Sequence, residues 1–276
     1  MPSISTRDEW IFSQASSSLE DLDNIFVSCH LDDAITLCHY LNGEMNAKSA
    51  ARLITTIARR EVIDDPDART MTVFRIMRLL AASLIHFDQE HEMILGLLLA
   101  IQDLPCDGRI HWWKLPTFTS RWSNCYSEHR DMGNQKNVAF FKNAGYLEAT
   151  MYLRGISGIE EEWAYGVINL VCLEMEEFEF EIHQVCEWLK VAGSKLVETL
   201  QPAKLKVFDR AVRGRSNKTY MIEVTMYEHW EHWKKRFLQV SHDEDFLSTE
   251  SRQVAKECHE IMKGLVVEQP DPPTEE

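Results

Sequence analysis

The amino-acid sequence predicts an all-α protein, built as a single irregular helical-bundle domain of about nine or ten helices. Apolar residues recur at intervals of three and four along most of the chain, which is the period of an amphipathic helix. The 276 residues include only 11 Gly and 8 Pro, so few positions are reserved for tight turns. An apolar fraction of 45% is typical of a globular protein that buries a sizeable core.

Several segments in the first half of the chain have helical signals. Leu31–Leu41 and Gln89–Leu104 are two of them, and the second is apolar nearly all round and is therefore expected to be central. Asn46 is the expected N-cap of a helix that runs to about Arg60. A further helix opens after Pro66. Its predicted inner face consists of Val73, Met77, Leu80, Leu84 and Phe87.

The region Pro105–Thr119 interrupts the helical pattern with proline and glycine. It contains the pair Trp112 and Trp113, and we expect an ordered connection that is held by aromatic burial. After it, Asn134–Met151 is predicted to be helical, with an inner face formed by Val138, Phe141, Ala144, Leu147 and Met151.

Three more helices are predicted from start and stop signals in the second half. Ser157 and Glu160 match the Ser-x-x-Glu pattern of a capping box, which predicts a helix from there to about Glu177. Another helix covers about 181–200, and a last one about 249–263.

The segment YEHWEHWKKRF, Tyr227–Phe237, repeats Glu-His-Trp within six residues. Thr225 and Glu228 form a capping box in front of it, and the apolar residues that follow share one face of a helix. These are Met226, Trp230, Trp233, Phe237 and Val240. Metal-binding helices use His-Glu-x-x-His or Glu-x-x-His, and none of the 11 histidines follows a glutamate by three residues. We therefore predict a packed core helix and no metal site.

The predicted organisation is one helical domain over residues 19–265. Residues 1–18 are expected to be poorly ordered, and 266–276 to form a disordered acidic tail. A flexible basic insertion is expected near 201–218. It could contact phosphate or nucleic acid, or form a solvated loop that neutralises acidic helices nearby. We favour the second interpretation because the whole chain is acidic.

Charge, cysteine content and hydropathy exclude several classes of protein. A net charge of −15 argues against a nucleic-acid partner. Seven scattered cysteines without Cys-x-x-Cys predict reduced, mostly buried thiols in a cytoplasmic protein. The longest apolar runs, Met93–Ile101 and Ala164–Leu173, are shorter than the roughly 20 residues of a membrane helix, so no membrane partner is expected. Nucleotide-binding glycine motifs are absent, and we expect no cofactor.

A series of aromatic and helical landmarks follows a fixed order along the chain. They are WKLP at Trp113–Pro116, Asn137 with Phe141, GVINLVCLEM, Trp188, WEHWKKRF and AKECHEIM. Over about Leu31–Met262 this order resembles a large family of intracellular fungal proteins catalogued only as a domain of unknown function. Leu173 stands where that pattern usually has alanine, and the basic segment after Pro202 is an insertion. The resemblance implies a helical fungal protein and no particular activity.

Glu174 is the residue we single out for a catalytic or ligand-binding role. It continues the apolar stripe of the predicted helix that contains Trp163 and Leu170. A carboxylate on an inward face must be paired, hydrogen-bonded or raised in pKa, and such groups are common at functional sites. The alternative is a structural ion pair with an arginine, for which the candidates are Arg52, Arg75, Arg78 and Arg154.

Three classes of function remain open. The first is an accessory or biosynthetic protein of specialised metabolism, with a small-molecule pocket near Glu174 lined by Trp163, Trp188 and Trp230. The second is a non-catalytic protein–protein interaction module, which predicts an exposed apolar groove. The third is an atypical Mg²⁺-dependent isoprenoid cyclase, suggested by the glutamate-rich segment Gly155–Leu189, which contains no Lys or Arg.

Overall fold

A computed structural model describes most of the chain. The described residues are 6–16, 29–60, 66–106, 110–132, 138–173, 178–208 and 223–271. These residues form twelve α-helices, one 3₁₀ turn and a two-stranded antiparallel ribbon. The predicted all-α class is confirmed, with more helices than the nine or ten that we expected.

The bounds of these elements follow the chain order. The first seven helices are α1 Thr6–Ser13, α2 Leu31–Leu41, α3 Ala47–Ile54, α4 Thr56–Arg60, α5 Pro66–His86, α6 His91–Gln102 and α7 Phe118–Met132, with the 3₁₀ turn Trp112–Lys114 before α7. The remaining elements are α8 Val138–Leu153, α9 Glu161–Leu173, α10 Phe178–Thr199, β1 Leu205–Lys206, β2 Val224–Thr225, α11 Met226–Ser241 and α12 Thr249–Gly264.

Contacts divide the chain into two compact units. The first contains residues 1–132 and 156–158, and the second contains 133–155 and 159–276. One domain over 19–265 stays a prediction. Residues 266–271 of the expected tail form no helix or strand. None of the described helices is long and apolar enough to cross a membrane.

The first unit is built around α5 and α6. Helix α5 packs on α6 and α7, and α3 packs on α2 and α6. The predicted inner face of α5 is confirmed, since Met77, Leu80 and Leu84 are fully buried. The loop 156–158 joins this unit at Gly158, where φ is +87° and a Cβ atom would lie 2.1 Å from Oγ1 of Thr119. Only glycine fits that position.

The second unit is held together by α10, which packs on α8, α9 and α12. Helices α8 and α10 approach so closely that a Cβ atom on Gly145 would lie 2.3 Å from the carbonyl oxygen of Gln184. Helix α11 packs on α9 and α12. The ribbon pairs Leu205 with Thr225 and leads directly into α11.

Two of the predicted helix starts are confirmed at the level of single hydrogen bonds. Asn46 caps α3 by accepting from the backbone N–H of Ser49 at 2.9 Å. Thr225 and Glu228 form the predicted capping box of α11. The helix predicted from Asn46 to Arg60 is divided at Thr55, which separates α3 from α4.

Other parts of the structure also differ from what the sequence predicted. Residues 6–13 form α1 within the segment expected to be poorly ordered, because Ile11 is fully buried. Ser157 does not start a helix as predicted, since α9 begins at Glu161, three residues after the first helical position that a cap at Ser157 would give, and follows a turn with positive φ at Gly155 and Gly158. Helix α7 was not predicted, although its buried residues have helical spacing. They are Phe118, Trp122, Cys125 and Tyr126.

The expected aromatic anchor between α6 and α7 is half correct. Trp112 is fully buried, whereas the neighbouring Trp113 is 54% exposed. Lys114 lies over the Trp113 ring, with its Nζ 5.0 Å from the ring centroid. One tryptophan therefore holds the connection, and the other is a surface residue.

Candidate functional site

The repeated Glu-His-Trp segment is a core helix, as predicted. All five residues of its predicted apolar face are buried in α11. His229 is also buried, and it donates from Nε2 to the carbonyl oxygen of Lys206 at 3.0 Å. His232, three residues further along α11, is exposed. Within the described ranges, no three His, Cys, Asp or Glu side chains form a group that could hold a metal ion.

An aromatic cluster lies where α9, α11 and the residues after β1 meet. We define it as Tyr165, Phe208, His229, Trp230 and Trp233. Trp233 is its centre, with ring centroids 6.2 Å from Tyr165, 5.6 Å from Phe208, 5.7 Å from His229 and 6.4 Å from Trp230. These distances are typical of favourable aromatic pairs. The cluster is the largest aromatic contact network among the described residues of the second unit.

Buried polar atoms of the aromatic cluster have partners on neighbouring helices. Trp233 donates from Nε1 to Oδ1 of Asn169 on α9 at 3.1 Å. The hydroxyl of Tyr165 donates to the carbonyl oxygen of Leu196 on α10 at 2.8 Å. Burial raises the pKa of Tyr165, so this hydroxyl stays protonated.

Two indole N–H groups of the second unit are exceptions. Nε1 of Trp230 and Nε1 of Trp163 are buried, and neither has a hydrogen-bond partner within the described part of the chain. Trp230 is fully buried in the aromatic cluster, whereas Trp163 is half-buried at the start of α9. A buried donor without an acceptor is uncommon in folded proteins and needs an explanation.

The residues next to these two tryptophans are connected through the ribbon. Glu162, beside Trp163, forms ion pairs with Lys204 and Lys206, and the carbonyl oxygen of Lys206 accepts from His229, beside Trp230. Burial opposes ionisation of Glu162, but the hydrogen bonds and charges of the two lysines outweigh it and lower its pKa. The ribbon therefore joins the start of α9 to the first turn of α11.

The basic insertion is described only in part. Lys204 and Lys206 neutralise Glu162, which agrees with the interpretation of this segment as a partner of acidic helices. Residues 209–218 lie outside the described part of the chain.

A buried carboxylate does occur in the second unit, but at a position that we did not predict. Glu148 on α8 is fully buried, and its Oε2 accepts from Nε2 of Gln184 at 2.7 Å and from Nε1 of Trp188 at 2.9 Å. The sequence contained the signal, since Glu148 lies four residues after Ala144 and seven after Phe141, on the inner face predicted for this helix.

The predicted site residues are distributed as follows. Trp230 belongs to the aromatic cluster, and Trp163 follows Glu162, which pairs with Lys206 of the ribbon. Trp188, the third predicted pocket residue, is fully buried and donates to Glu148. Glu174 lies outside the described residues, so its role stays a prediction.

A serine, a histidine and a glutamate lie together at the start of α12. Oγ of Ser251 is 3.4 Å from Nε2 of His183 and 2.9 Å from Oε1 of Glu179. In a hydrolase triad the carboxylate orients the imidazole, whereas here it contacts the hydroxyl. Glu179 also accepts from the backbone N–H of Ser248, the N-cap of α12. This group ties α12 to α10, since the buried Ser251 donates to the carbonyl oxygen of Glu179 at 2.8 Å.

A comparison with known families identifies the class of the chain. The model of the family described as "Protein of unknown function (DUF3632)" matches residues 76–237, which is more than half of the chain. The chain belongs to this family. No curated protein and no solved structure matches it significantly.

Proposed function

We propose that the second unit binds an apolar small molecule that carries hydrogen-bond-accepting oxygens, next to Trp163 and Trp230. The observation that carries this proposal is the pair of buried indole N–H groups without acceptors in the described part of the chain. In this proposal the chain is an accessory or biosynthetic protein of fungal specialised metabolism that acts in the cytoplasm.

The energetics of buried donors support a ligand at this place. A buried N–H group without a partner destabilises a protein by about 1–3 kcal/mol. Trp233 and Trp188 donate to Asn169 and Glu148, so the second unit does supply acceptors elsewhere. An acceptor oxygen of a ligand would give Trp163 and Trp230 the hydrogen bond that Trp233 and Trp188 already have. The free energy of that hydrogen bond would contribute to the affinity for the ligand.

The surroundings indicate the chemistry of the ligand. Trp230 contacts the ring of Trp233, and His229 in the same turn is kept neutral at physiological pH because burial lowers its pKa. An uncharged, largely apolar molecule with carbonyl or ether oxygens suits such surroundings. Glu174, which follows the helix of Trp163 in sequence, remains our proposed carboxylate contact.

The proposal is tested by a thermal-shift screen of oxygenated aromatic compounds with the wild-type protein. Compounds that raise the melting midpoint are then titrated into Trp163→Phe and Trp230→Phe, which keep an aromatic ring but lose the N–H. We expect each variant to bind roughly tenfold more weakly, the equivalent of one hydrogen bond. Trp113→Phe, on the surface of the first unit, is the control and should bind normally.

The opposite results would contradict the proposal. A screen without any hit would count against a small-molecule site. Hits that bind both variants as tightly as wild type would place the ligand elsewhere.

A protein–protein interaction module is the second candidate, favoured by the outer face of α8. Tyr146 and Leu153 lie seven residues apart on this face and are 43% and 48% exposed. A partner that covers this face should be lost in Tyr146→Lys, without any change in the response to small molecules. The cyclase hypothesis lacks comparable support, since the described acidic side chains form no metal-binding group.

A further inference from the structure

A short segment of the second unit lies across the start of α11. It consists of residues 202–208, which include β1, and we call it the strap. The carbonyl oxygen of Pro202 accepts from the backbone N–H of Tyr227 at 3.1 Å. The carbonyl oxygen of Lys204 accepts from the N–H of Met226 at 2.9 Å. The first N–H groups of a helix have no partner within the helix, so the strap supplies the acceptors that the first turn of α11 lacks.

One side chain of the strap is inserted into the aromatic cluster. Among the strap residues, all of which the structure describes, only Phe208 is buried. Its ring centroid lies 4.8 Å from that of His229 and 5.6 Å from that of Trp233. The carbonyl oxygen of Lys206 accepts from His229 at 3.0 Å. The strap therefore covers the side of the aromatic cluster that His229 and Trp233 form.

The other contacts of the strap are polar and lie at the surface. Glu162 on α9 pairs with Lys204 at 3.2 Å and also with Lys206. The side chain of Lys204 is 47% exposed and that of Glu162 is 41% exposed. Water and salt screen such pairs, so they contribute little to stability. A segment with few buried apolar contacts opens locally at a low free energy, and the strap can detach while the helices stay packed.

The small-molecule site proposed above requires such an opening. Trp230 is fully buried, so a ligand reaches its N–H only after part of the covering structure moves. Helices α9, α10, α11 and α12 pack on one another through buried apolar side chains. The strap is held by one buried ring and a few polar contacts. Of the described elements around the aromatic cluster, it is the one that opens most easily.

We propose that the strap is the gate of the small-molecule site. In the open state the strap leaves the start of α11 and Phe208 leaves the aromatic cluster, and in the closed state the strap covers the bound ligand. The ion pairs of Glu162 favour the closed state, so ionic strength shifts the balance between the two states. This inference rests on the proposed function, because it concerns the entry of the same ligand.

Hydrogen exchange of the ligand-free full chain tests the gate. The amides of Met226 and Tyr227 are the reporters, because strap carbonyls are their acceptors. At low salt and constant pH, Glu162→Gln should exchange these amides roughly three- to tenfold faster than wild type, as expected for the loss of two exposed ion pairs. In 1 M NaCl, where charges are screened beyond about 3 Å, the wild-type rates should approach those of the variant.

The matched control is Glu198→Gln. Its carboxylate pairs with Lys195 at 3.0 Å within α10, on the same unit but away from the strap contacts, and the two reporter amides should exchange as in wild type. If Glu162→Gln does not fold by circular dichroism, Phe208→Ala takes its place and should also accelerate exchange at both amides.

Two results would overturn the gate. One is equal exchange of the Met226 and Tyr227 amides in wild type and Glu162→Gln at both salt concentrations. The other is exchange of these amides as slow as that of Val185, a buried residue of α10, which would show that the strap opens only when the whole unit unfolds.

The exchange measurement contains no ligand, so failure of the gate and failure of the proposed function can be told apart. Compounds that bind in the thermal-shift screen should associate faster with Glu162→Gln than with wild type. Binding compounds together with unchanged exchange rates would overturn the gate alone. Faster exchange in the variant without any binding compound would contradict the proposed function, and the strap would then have no ligand to admit.

Discussion

The indole Nε1 of Trp188 donates to Oε2 of Glu148 at 2.9 Å, and both side chains are fully buried between α10 and α8. The same carboxylate oxygen accepts from Gln184, one turn before Trp188. A buried carboxylate is stable only with such partners, so this group is a major determinant of how α8 and α10 pack.

We therefore predict strong coupling between Glu148 and Trp188. Glu148→Ala should lower the free energy of unfolding by roughly 3–5 kcal/mol, because it opens a cavity and leaves two donors unpaired. In a double-mutant cycle with Trp188→Phe, measured by urea unfolding, the coupling energy should be about 1.5–3 kcal/mol, as for hydrogen bonds to charged groups. Additive effects would show that the hydrogen bond contributes nothing.

The close approach of the same two helices gives a second prediction. Gly145→Ala should lower the free energy of unfolding by about 1–3 kcal/mol or more, because the new methyl group would meet the backbone of Gln184. Gly264→Ala at the end of α12 is the control. Its Cβ would meet no atom within 4 Å, and its stability should be near that of wild type. Equal stability of the two variants would contradict the packing described here.

Stability should fall when the pH is lowered through the titration range of histidine. Burial lowers the pKa of His183, as does nearby Lys142, and burial also lowers that of His229. Below the ordinary value of 6.5 the unfolded chain binds protons that the folded chain does not, so the free energy of unfolding decreases with decreasing pH. Each histidine contributes at most about 1.4 kcal/mol per pH unit.

The check is urea unfolding between about pH 7.5 and 5.5, above the range in which carboxylates titrate. His229→Gln should reduce the slope of stability against pH, whereas the exposed His242→Gln should not. A wild-type stability that is constant over this range would be inconsistent with neutral buried histidines.

The cysteines give a prediction about thiol reactivity. All seven are free, as the sequence predicted, and all except Cys106 are buried. Burial raises the pKa of Cys29 to about 12 and that of Cys125 to about 11, which suppresses the reactive thiolate. In the native protein, one thiol per chain should therefore react rapidly with Ellman's reagent. In the unfolded protein, all seven thiols should react.

Cys106 is the expected fast thiol, since it is exposed and its Sγ lies 3.5 Å from Nδ1 of His111. Cys106→Ser should abolish the fast phase, and the buried Cys125→Ser should leave it intact. Two or more fast thiols in the native protein would mean that the helices open more readily than their burial indicates.

Local sequence signals predicted the helices well where a cap and an apolar face coincide. The bounds of α2 were predicted as they are found, and so were the caps at Asn46 and Thr225. Helix α7 was missed because polar residues separate its buried positions, and Trp122 alone is a weak signal. The turn at Gly155 and Gly158 depends on backbone with positive φ, which the Ser-x-x-Glu pattern does not report.

The candidate site was harder to predict, because its key features are pairings between helices. The sequence places Trp163, Trp188 and Trp230 on apolar faces, but it does not tell which indole has an acceptor. Glu148 supplies one for Trp188 from another helix. The same periodic argument that selected Glu174 applies to Glu148, which we did not single out, and Glu174 itself stays a prediction.

Two tryptophans of one helix test most directly whether the Trp230 N–H is kept for a ligand. Trp230 and Trp233 are both fully buried in α11, but only the N–H of Trp233 has an acceptor within the described part of the chain, Asn169. We would measure the free energy of unfolding of ligand-free Trp230→Phe and Trp233→Phe. Trp233→Phe should be less stable than Trp230→Phe by about 1 kcal/mol or more, because only the Trp233 substitution breaks a hydrogen bond. Equal losses, or a greater loss for Trp230→Phe, would show that the Trp230 N–H is already satisfied and is not kept for a ligand.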